Sequence, residues 1–273
     1  MSIKTAEFVS PGHPDKICDF IADSILDAYL EGDKDSRVAV EVMGGHGLIT
    51  INGEVTSRAN PDLESLVRKI VGENYKVIIN LSKQSHEIAQ GVDTGGAGDQ
   101  GIMKGYATSE TETFLPREYE LARNLCQRVY EKYPYDGKVQ VTLNNDEIET
   151  EVISFQNSKN EDLLPFVKSL ITAKEYLINP AGEWVQGGFD ADTGLSGRKL
   201  IIDNYGPEVP IGGGSFSGKD YTKVDRSGAY VARKIAVDFV KARKAKEVFV
   251  KLAYAIGKPE PVMAVAVIDG KEE

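Results

Sequence analysis

The chain has 273 residues, a formal net charge of −10 and a pI near 5.0, with 41% hydrophobic and 27% charged residues. That balance suits a globular protein of roughly one to three compact units and argues against general binding to nucleic acid or to anionic membranes. No apolar run approaches the length of a membrane span, and the N-terminus MSIKTAEFVSPGHPDK lacks a signal-peptide core. The two cysteines, Cys18 and Cys126, fall in helical patterns as packing residues, so a cytoplasmic protein is expected.

Pro14 to Leu30 places Ile17, Phe20, Ile21, Ile25, Tyr29 and Leu30 close to one helical face, with Pro14 at the first helical position and Ser10 or His13 leading into it. His13, Asp15 and Lys16 thereby gather at a helix N-terminus, where the helix dipole favours anions. Arg37 to Val42 alternates, and Gly47 to Val55 reads as its hairpin partner. A helical pattern over 60–71 and a strand over 75–81 follow. A second round brings a helix over 116–133, with Leu121, Leu125, Val129 and Tyr130 on one face, then strands over 138–143 and 149–155 and a helix over 163–172. The third round has a helix over 224–241 and strands over 247–254 and 261–268, and then the sequence ends.

Such a period outweighs any single boundary. The expected fold is α+β: three helix-plus-hairpin units, the third lacking its trailing helix. The units divide as 1–90, a loop with a glycine-rich segment over 91–110, 111–187 and 188–273. The uncovered sheet of the third unit is expected to bury its apolar surface against another chain.

Two stretches stand out chemically. Gly212 to Arg226 reads GGGSFSGKDYTKVDR, and glycine runs let backbone N–H groups approach an anion closely. Gly213 to Lys219 fits the GxxxxGK core of a P-loop, but Asp220 stands where magnesium needs Ser or Thr, and no clean strand leads in. Lys219 and Lys223 are four apart and would share a face if the segment were helical. Lys138, Arg198-Lys199 and Lys219/Lys223 all lie beside glycine turns, which in an acidic protein points to a small polyanion. Lys83 to Ala107 (KQSHEIAQGVDTGGAGDQGIMKGYA) reads as a loop able to close over a ligand.

GHPDK at Gly12–Lys16, GAGDQGIMKGYA at Gly96–Ala107 and GGGSFSGKD at Gly212–Asp220 resemble the signature segments of S-adenosylmethionine synthetases. NGEVTS from Asn52, KQS from Lys83, GLSGRK from Gly194, KVDRSGAY from Lys223 and YAIG from Tyr254 match the same family in the same order. The resemblance covers almost the whole chain and implies three similar subdomains about a pseudo-threefold, in agreement with the repeats. It implies attack of the methionine sulfur on C5′ of ATP, displacing tripolyphosphate, which is then hydrolysed to pyrophosphate and phosphate. This is a reaction of one-carbon metabolism.

Matched position by position, the resemblance implies that His13 lies beside the leaving oxygen and that Lys138, Arg198 and Lys219 join it as catalytic groups. ATP would also meet Asp136, Trp184, Asp192, Lys199 and Ser215. Methionine would meet Glu54, Gln84, Asp192 and Lys223, with Asp99 contributing nearby. Asp15 and Asp225 match magnesium ligands and Glu41 a potassium ligand. The family forms its site between two subunits, so a homodimer or a higher oligomer is expected.

The sequence also departs from the family. Only Asp93, Thr94 and Gly95 separate Val92 from GAGDQG, which shortens a gate over the site and puts its coupling to tripolyphosphate hydrolysis in question. Glu183-Trp184 replaces a basic residue followed by Phe, Lys104 replaces an aromatic, and the usual segment after the last hairpin is missing. A competent enzyme is expected; a non-catalytic regulatory relative of a full-length synthetase is the alternative. Retention of His13, Asp15, Lys138 and Lys219 together favours the enzyme.

Overall fold

The computed structural model describes residues 3–84 and 95–273. Three times the chain runs as strand, helix and hairpin. The first pass is β1 (Ile3–Val9), α1 (Pro14–Gly32), β2 (Arg37–Gly45) and β3 (Leu48–Thr56), followed by α2 (Leu63–Val71) and β4 (Lys76–Ser82). The second is β5 (Gly101–Thr108), α3 (Arg117–Lys132), β6 (Gly137–Asn144) and β7 (Glu147–Phe155), followed by α4 (Asn160–Leu170) and β8 (Glu175–Ile178). The third is β9 (Gly194–Leu195), a four-residue helix α5 (Leu200–Asp203), α6 (Val224–Arg243), β10 (Glu247–Tyr254) and β11 (Met263–Ile268), closed by the short β12 (Lys271–Glu272). The fold is α+β, and its third unit lacks the trailing helix that the first two possess.

Strand exchange ties the three units together. The sheets run β1-β6-β7-β8, β9-β2-β3-β4 and β5-β10-β11-β12. The strand that opens each unit therefore pairs with the hairpin of another unit, always antiparallel and always beside its first strand. Each long helix packs on a donated strand and the adjoining hairpin strand: α1 on β9 and β2, α3 on β1 and β6, α6 on β5 and β10. After the first two hairpins a helix returns the chain to add a parallel strand, β4 beside β3 and β8 beside β7. Sheet membership thus crosses the contiguous segments drawn from the sequence. Residues 101–108, read there as part of a loop, form β5 because Gly105 admits α6 against it. A Cβ at Gly105 would come within 2.1 Å of the Ala232 carbonyl.

The cores follow from the periodicities. Cys18, Ile21, Ala22, Ile25 and Tyr29 bury one face of α1 against Val38, Val40 and Val42. Ala122, Leu125, Cys126 and Val129 do the same for α3 against Val139 and Val141. Both cysteines are buried and free. The third core is built of smaller residues, with Ala232 and Ala236 of α6 facing Val248 and Val250. Among the described residues no helix is long and apolar enough to cross a membrane.

Candidate active site

His13 is the N-cap of α1, and its Nδ1 accepts a hydrogen bond from the Asp15 backbone N–H at 3.1 Å. An accepting Nδ1 carries no proton, so the neutral ring holds its proton on Nε2, as a donor facing away from the helix. The residue is 4% exposed. Burial first, and then the positive charges of Lys199 and Lys138, lower its pKa to about 4 against the pull of Asp15 and Asp192.

Asp15, fully buried, stands under this ring. Its Oδ1 accepts the Leu195 N–H at 2.9 Å and lies 3.3 Å from Arg198 Nε, while Oδ2 meets Lys199 Nζ. Burial opposes ionisation of Asp15, but the hydrogen bonds from Lys199 and Leu195, with the charges of Lys199 and Arg198, outweigh it and hold the carboxyl below its ordinary range. Asp136 accepts the Gly188 N–H at 3.0 Å; burial raises its pKa against the backbone bonds and the charge of Lys138. Trp184 packs against Gly187, where a Cβ would come within 2.7 Å of its ring. Here His13, Asp15, Asp136, Lys138, Asp192, Arg198 and Lys199 form one electrostatic neighbourhood.

The irregular stretch 194–226 is fastened along α1 by three aspartates one turn apart, which places them on one helical face. Asp15 takes the Leu195 N–H, Asp19 takes the Gly197 N–H, and Asp23 takes the Gly218 N–H and the Arg226 guanidinium at 2.7 Å. The first and third anchors are about 12 Å apart along the helix at 1.5 Å per residue. Asp19 and Asp23 were not among the candidates, although their four-residue spacing from Asp15 is a signal present in the sequence.

At the far anchor lies the glycine-rich segment. Lys219 pairs with Asp225 at 2.6 Å and Lys223 with Asp220 at 2.8 Å. The two lysines do not share a helical face: Lys219 forms an isolated β-bridge with Ala39, and Lys223 is the N-cap of α6. Asp220, out of place for a P-loop, is buried and accepts the Val38 and Thr222 N–H groups at 2.7 and 2.9 Å. Its carboxylate joins this segment to β2, which is a structural task. Ser215 touches the other segment, since a Cβ at Gly197 (φ +73) would come within 2.6 Å of its own Cβ.

The remaining candidates sit on the sheet faces turned away from the helices. Glu41 on β2 accepts the Ser196 hydroxyl at 2.5 Å, and Glu54 on β3 is exposed in register with Ala39. Gln84 follows β4 directly and has a buried Oε1 with no hydrogen-bond partner. These faces also expose Met43, Ile78, Ile102 and Leu195. On the helix side, where the third unit was expected to leave an apolar surface bare, β11 turns mostly alanines. Of the departures noted in the sequence, Glu183 accepts the Asn160 N–H at 2.8 Å and so caps α4, and Lys104 lies over the Phe249 ring. The shortened gate at 92–95 lies largely outside the described residues; Asp99 lies in the described part, where its carboxylate accepts the Gln100 N–H at 2.7 Å.

Three α+β units of one plan, with a buried histidine beside lysines at a helix N-terminus, are what the fold and these residues bring together. Family models for the N-terminal, central and C-terminal domains of S-adenosylmethionine synthetase match residues 1–94, 94–184 and 186–272. An S-adenosylmethionine synthase of Petrotoga mobilis is 40% identical, covering 94% of this chain and 80% of that protein. One of Mycoplasmopsis pulmonis is 44% identical, covering 94% and 78%. A solved structure described as an unusual S-adenosylmethionine synthetase from Campylobacter jejuni superposes with a TM-score of 0.90 at 38% identity, covering 99% of this chain and 82% of that one. The chain therefore belongs to the S-adenosylmethionine synthetase family, a family of methionine adenosyltransferases.

Proposed function

We propose that the chain joins ATP and L-methionine by forming a bond from the methionine sulfur to C5′, that the C5′–O bond breaks with its electron pair leaving on tripolyphosphate, and that water then cleaves this product to pyrophosphate and phosphate. The observation that carries the reading is the cap of His13: its Nδ1 accepts the Asp15 N–H, which leaves Nε2–H as the donor, beside Lys138 and Lys199 and next to the Asp15 that Arg198 meets. Such a donor meets the charge that develops on the leaving oxygen without first giving up a proton of its own. The sulfur becomes a cationic sulfonium while a polyanion departs, so cations aimed at the triphosphate supply the electrostatic part of catalysis.

Asp136, Trp184 and Ser215 complete the ATP contacts in this reading, with the indole face suited to adenine. Glu54 and Asp192 suit the methionine ammonium, with Lys223 near its carboxylate, and the unpartnered Gln84 Oε1 offers an acceptor. Among the described residues no three carboxylate, histidine or cysteine side chains converge on one point, so the protein offers no closed metal cage. Asp15 and Asp225 would each offer a carboxylate to magnesium held mainly by phosphate oxygens, and Glu41 one to potassium. Magnesium so placed would neutralise phosphate charge.

Lys219 and Lys223 pair within their own segment, apart from His13, and Glu41 and Glu54 lie on sheet faces that also expose apolar side chains. Both facts favour a homodimer, with each site completed across the interface by a second copy, and the reading places it in the cytoplasm. The test is one incubation with ATP, methionine, magnesium and potassium, read by chromatography and phosphorus NMR. S-adenosylmethionine with pyrophosphate and phosphate is the expected outcome. Free tripolyphosphate would remove the hydrolytic step, and the absence of any methionine-dependent product would remove the whole reading. His13→Asn keeps a capping acceptor and removes the donor, so kcat should fall about 100- to 1000-fold.

A further inference from the structure

Resting on the reading above, we propose that Asp19 is a positioning residue: a single buried carboxylate that sets the placement of the two cationic segments, Arg198-Lys199 and Ser215–Lys219, relative to each other. Its Oδ1 accepts both the Gly197 N–H at 2.9 Å and the Ser217 hydroxyl at 2.5 Å, and its Oδ2 accepts Lys16 Nζ at 2.9 Å. Gly197 immediately precedes Arg198 and Lys199. Ser217 stands between Ser215 and Lys219. Asp15 bonds only the first segment, and Asp23 bonds the second segment together with the start of α6. Of the three aspartates of α1 that bond these segments, Asp19 alone bonds both.

The surroundings leave this carboxylate little freedom. Asp19 is 6% exposed, and the two segments it joins are in contact at Gly197 and Ser215. Lys16 extends the hold by bonding Asp203 at 2.7 Å, at the end of α5. Arg198 and Lys199 are thus fastened on both sides, at Gly197 by Asp19 directly and at Asp203 through Lys16. Cations stabilise a developing charge only when placed correctly, and a displacement of about 1 Å can cost about 100-fold in rate.

The test uses Asp19→Ala, Asp19→Asn, Ser217→Ala and the double variant Asp19→Ala/Ser217→Ala in the full chain. Three quantities are measured: kcat and KM for S-adenosylmethionine formation, calorimetric affinity for inorganic tripolyphosphate, and thermal stability. Asp19→Ala should lower kcat about 100-fold and weaken tripolyphosphate binding, with the KM for methionine little changed. Asp19→Asn keeps the Oδ1 acceptor for Gly197 and Ser217 but loses the Oδ2 acceptor for Lys16, and should recover part of both. Ser217→Ala should reproduce part of the loss, and the double variant should be no worse than Asp19→Ala, because both act through one contact.

Wild-type kcat and tripolyphosphate affinity in folded Asp19→Ala would overturn the proposal. So would additive effects of the two single changes, or an Asp19→Asn as impaired as the alanine variant. Should Asp19→Ala fail to fold, Asp19→Asn and Ser217→Ala still decide. Tripolyphosphate affinity is read without adenosyl transfer, and without magnesium to limit its hydrolysis, so a wild-type chain that made no S-adenosylmethionine would sink the reading of function and leave the placement role still under test.

Discussion

In the central sheet the second hairpin strand turns Ile153 and Phe155 toward the helices, and both are fully buried because Leu163 and Val167 of α4 join the same core. The first sheet repeats this with Ile49 and Ile51 beneath Leu63 and Val67 of α2. In the C-terminal sheet the equivalent strand turns Ala264, Ala266 and Ile268 the same way, beside Leu252, Val250 and Val248 of β10. No second helix of the described chain covers them: Ala264 is exposed and Ala266 half-buried. Side-chain size follows cover. A bare strip of isoleucine would invite aggregation, whereas alanine exposes little apolar area.

Breaking the cover where it exists gives the largest expected effect. Leu163→Ala should cost about 2–5 kcal/mol, since the residue is fully buried between α4 and the central sheet. Denaturant unfolding would read this, and a loss under about 1 kcal/mol would mean that α4 contributes little. The covered core also holds an anomaly absent from the bare one. Glu151 is fully buried beside Val141, with neither carboxylate oxygen hydrogen-bonded, and burial raises its pKa to about 8. A raised carboxyl pKa means stability that is fully present below about pH 4.5 and lost as pH rises toward 8. Replacing Glu151 with Met should therefore stabilise by about 3 kcal/mol at pH 7 and by little at pH 4. Equal gains at both pH values would refute the buried, neutral carboxyl.

What could be read from the sequence were features of local pattern. The long helices and all three hairpins were legible because each buries a stripe with its own period, as with Ile21 and Ile25 or Val38 and Val40. The donated strands were not. β1 and β5 pair with hairpins more than one hundred residues away, and β9 is two residues long, so none carries a local signal of its partner. The same divide runs through the site. His13 and Asp15 were legible as a helix start, but the bonds of Asp19 and Asp23 to segments near residues 197 and 218 arise only when the chain folds back.

The three long helices extend the comparison to their starts. The N-caps of α3 and α6, Pro116 and Lys223, offer no side-chain cap, whereas α1 begins with the His13 acceptor. A His pKa lowered to about 4 resists the proton that the unfolded chain accepts near 6.5, so stability is lost as pH falls between those values. At pH 5 the cost should be about 2 kcal/mol, and His13→Asn should abolish it while retaining the cap. An unchanged acid limb in that variant would show that His13 titrates normally.

The smallest expected effect tests the bare strip itself. Ala266→Ser adds a hydroxyl beside Val250 at a half-buried position of β11. If water reaches the strip, the hydroxyl stays hydrated and the change should fall within about 0.5 kcal/mol of zero. If another chain or segment covers it in solution, the hydroxyl is desolvated without a partner and the cost should reach about 1–3 kcal/mol. The same substitution at Ile153 would be severe under either condition, because that site is sealed within the chain. Measured together, the two separate cover supplied by this chain's own helix from cover supplied by something else.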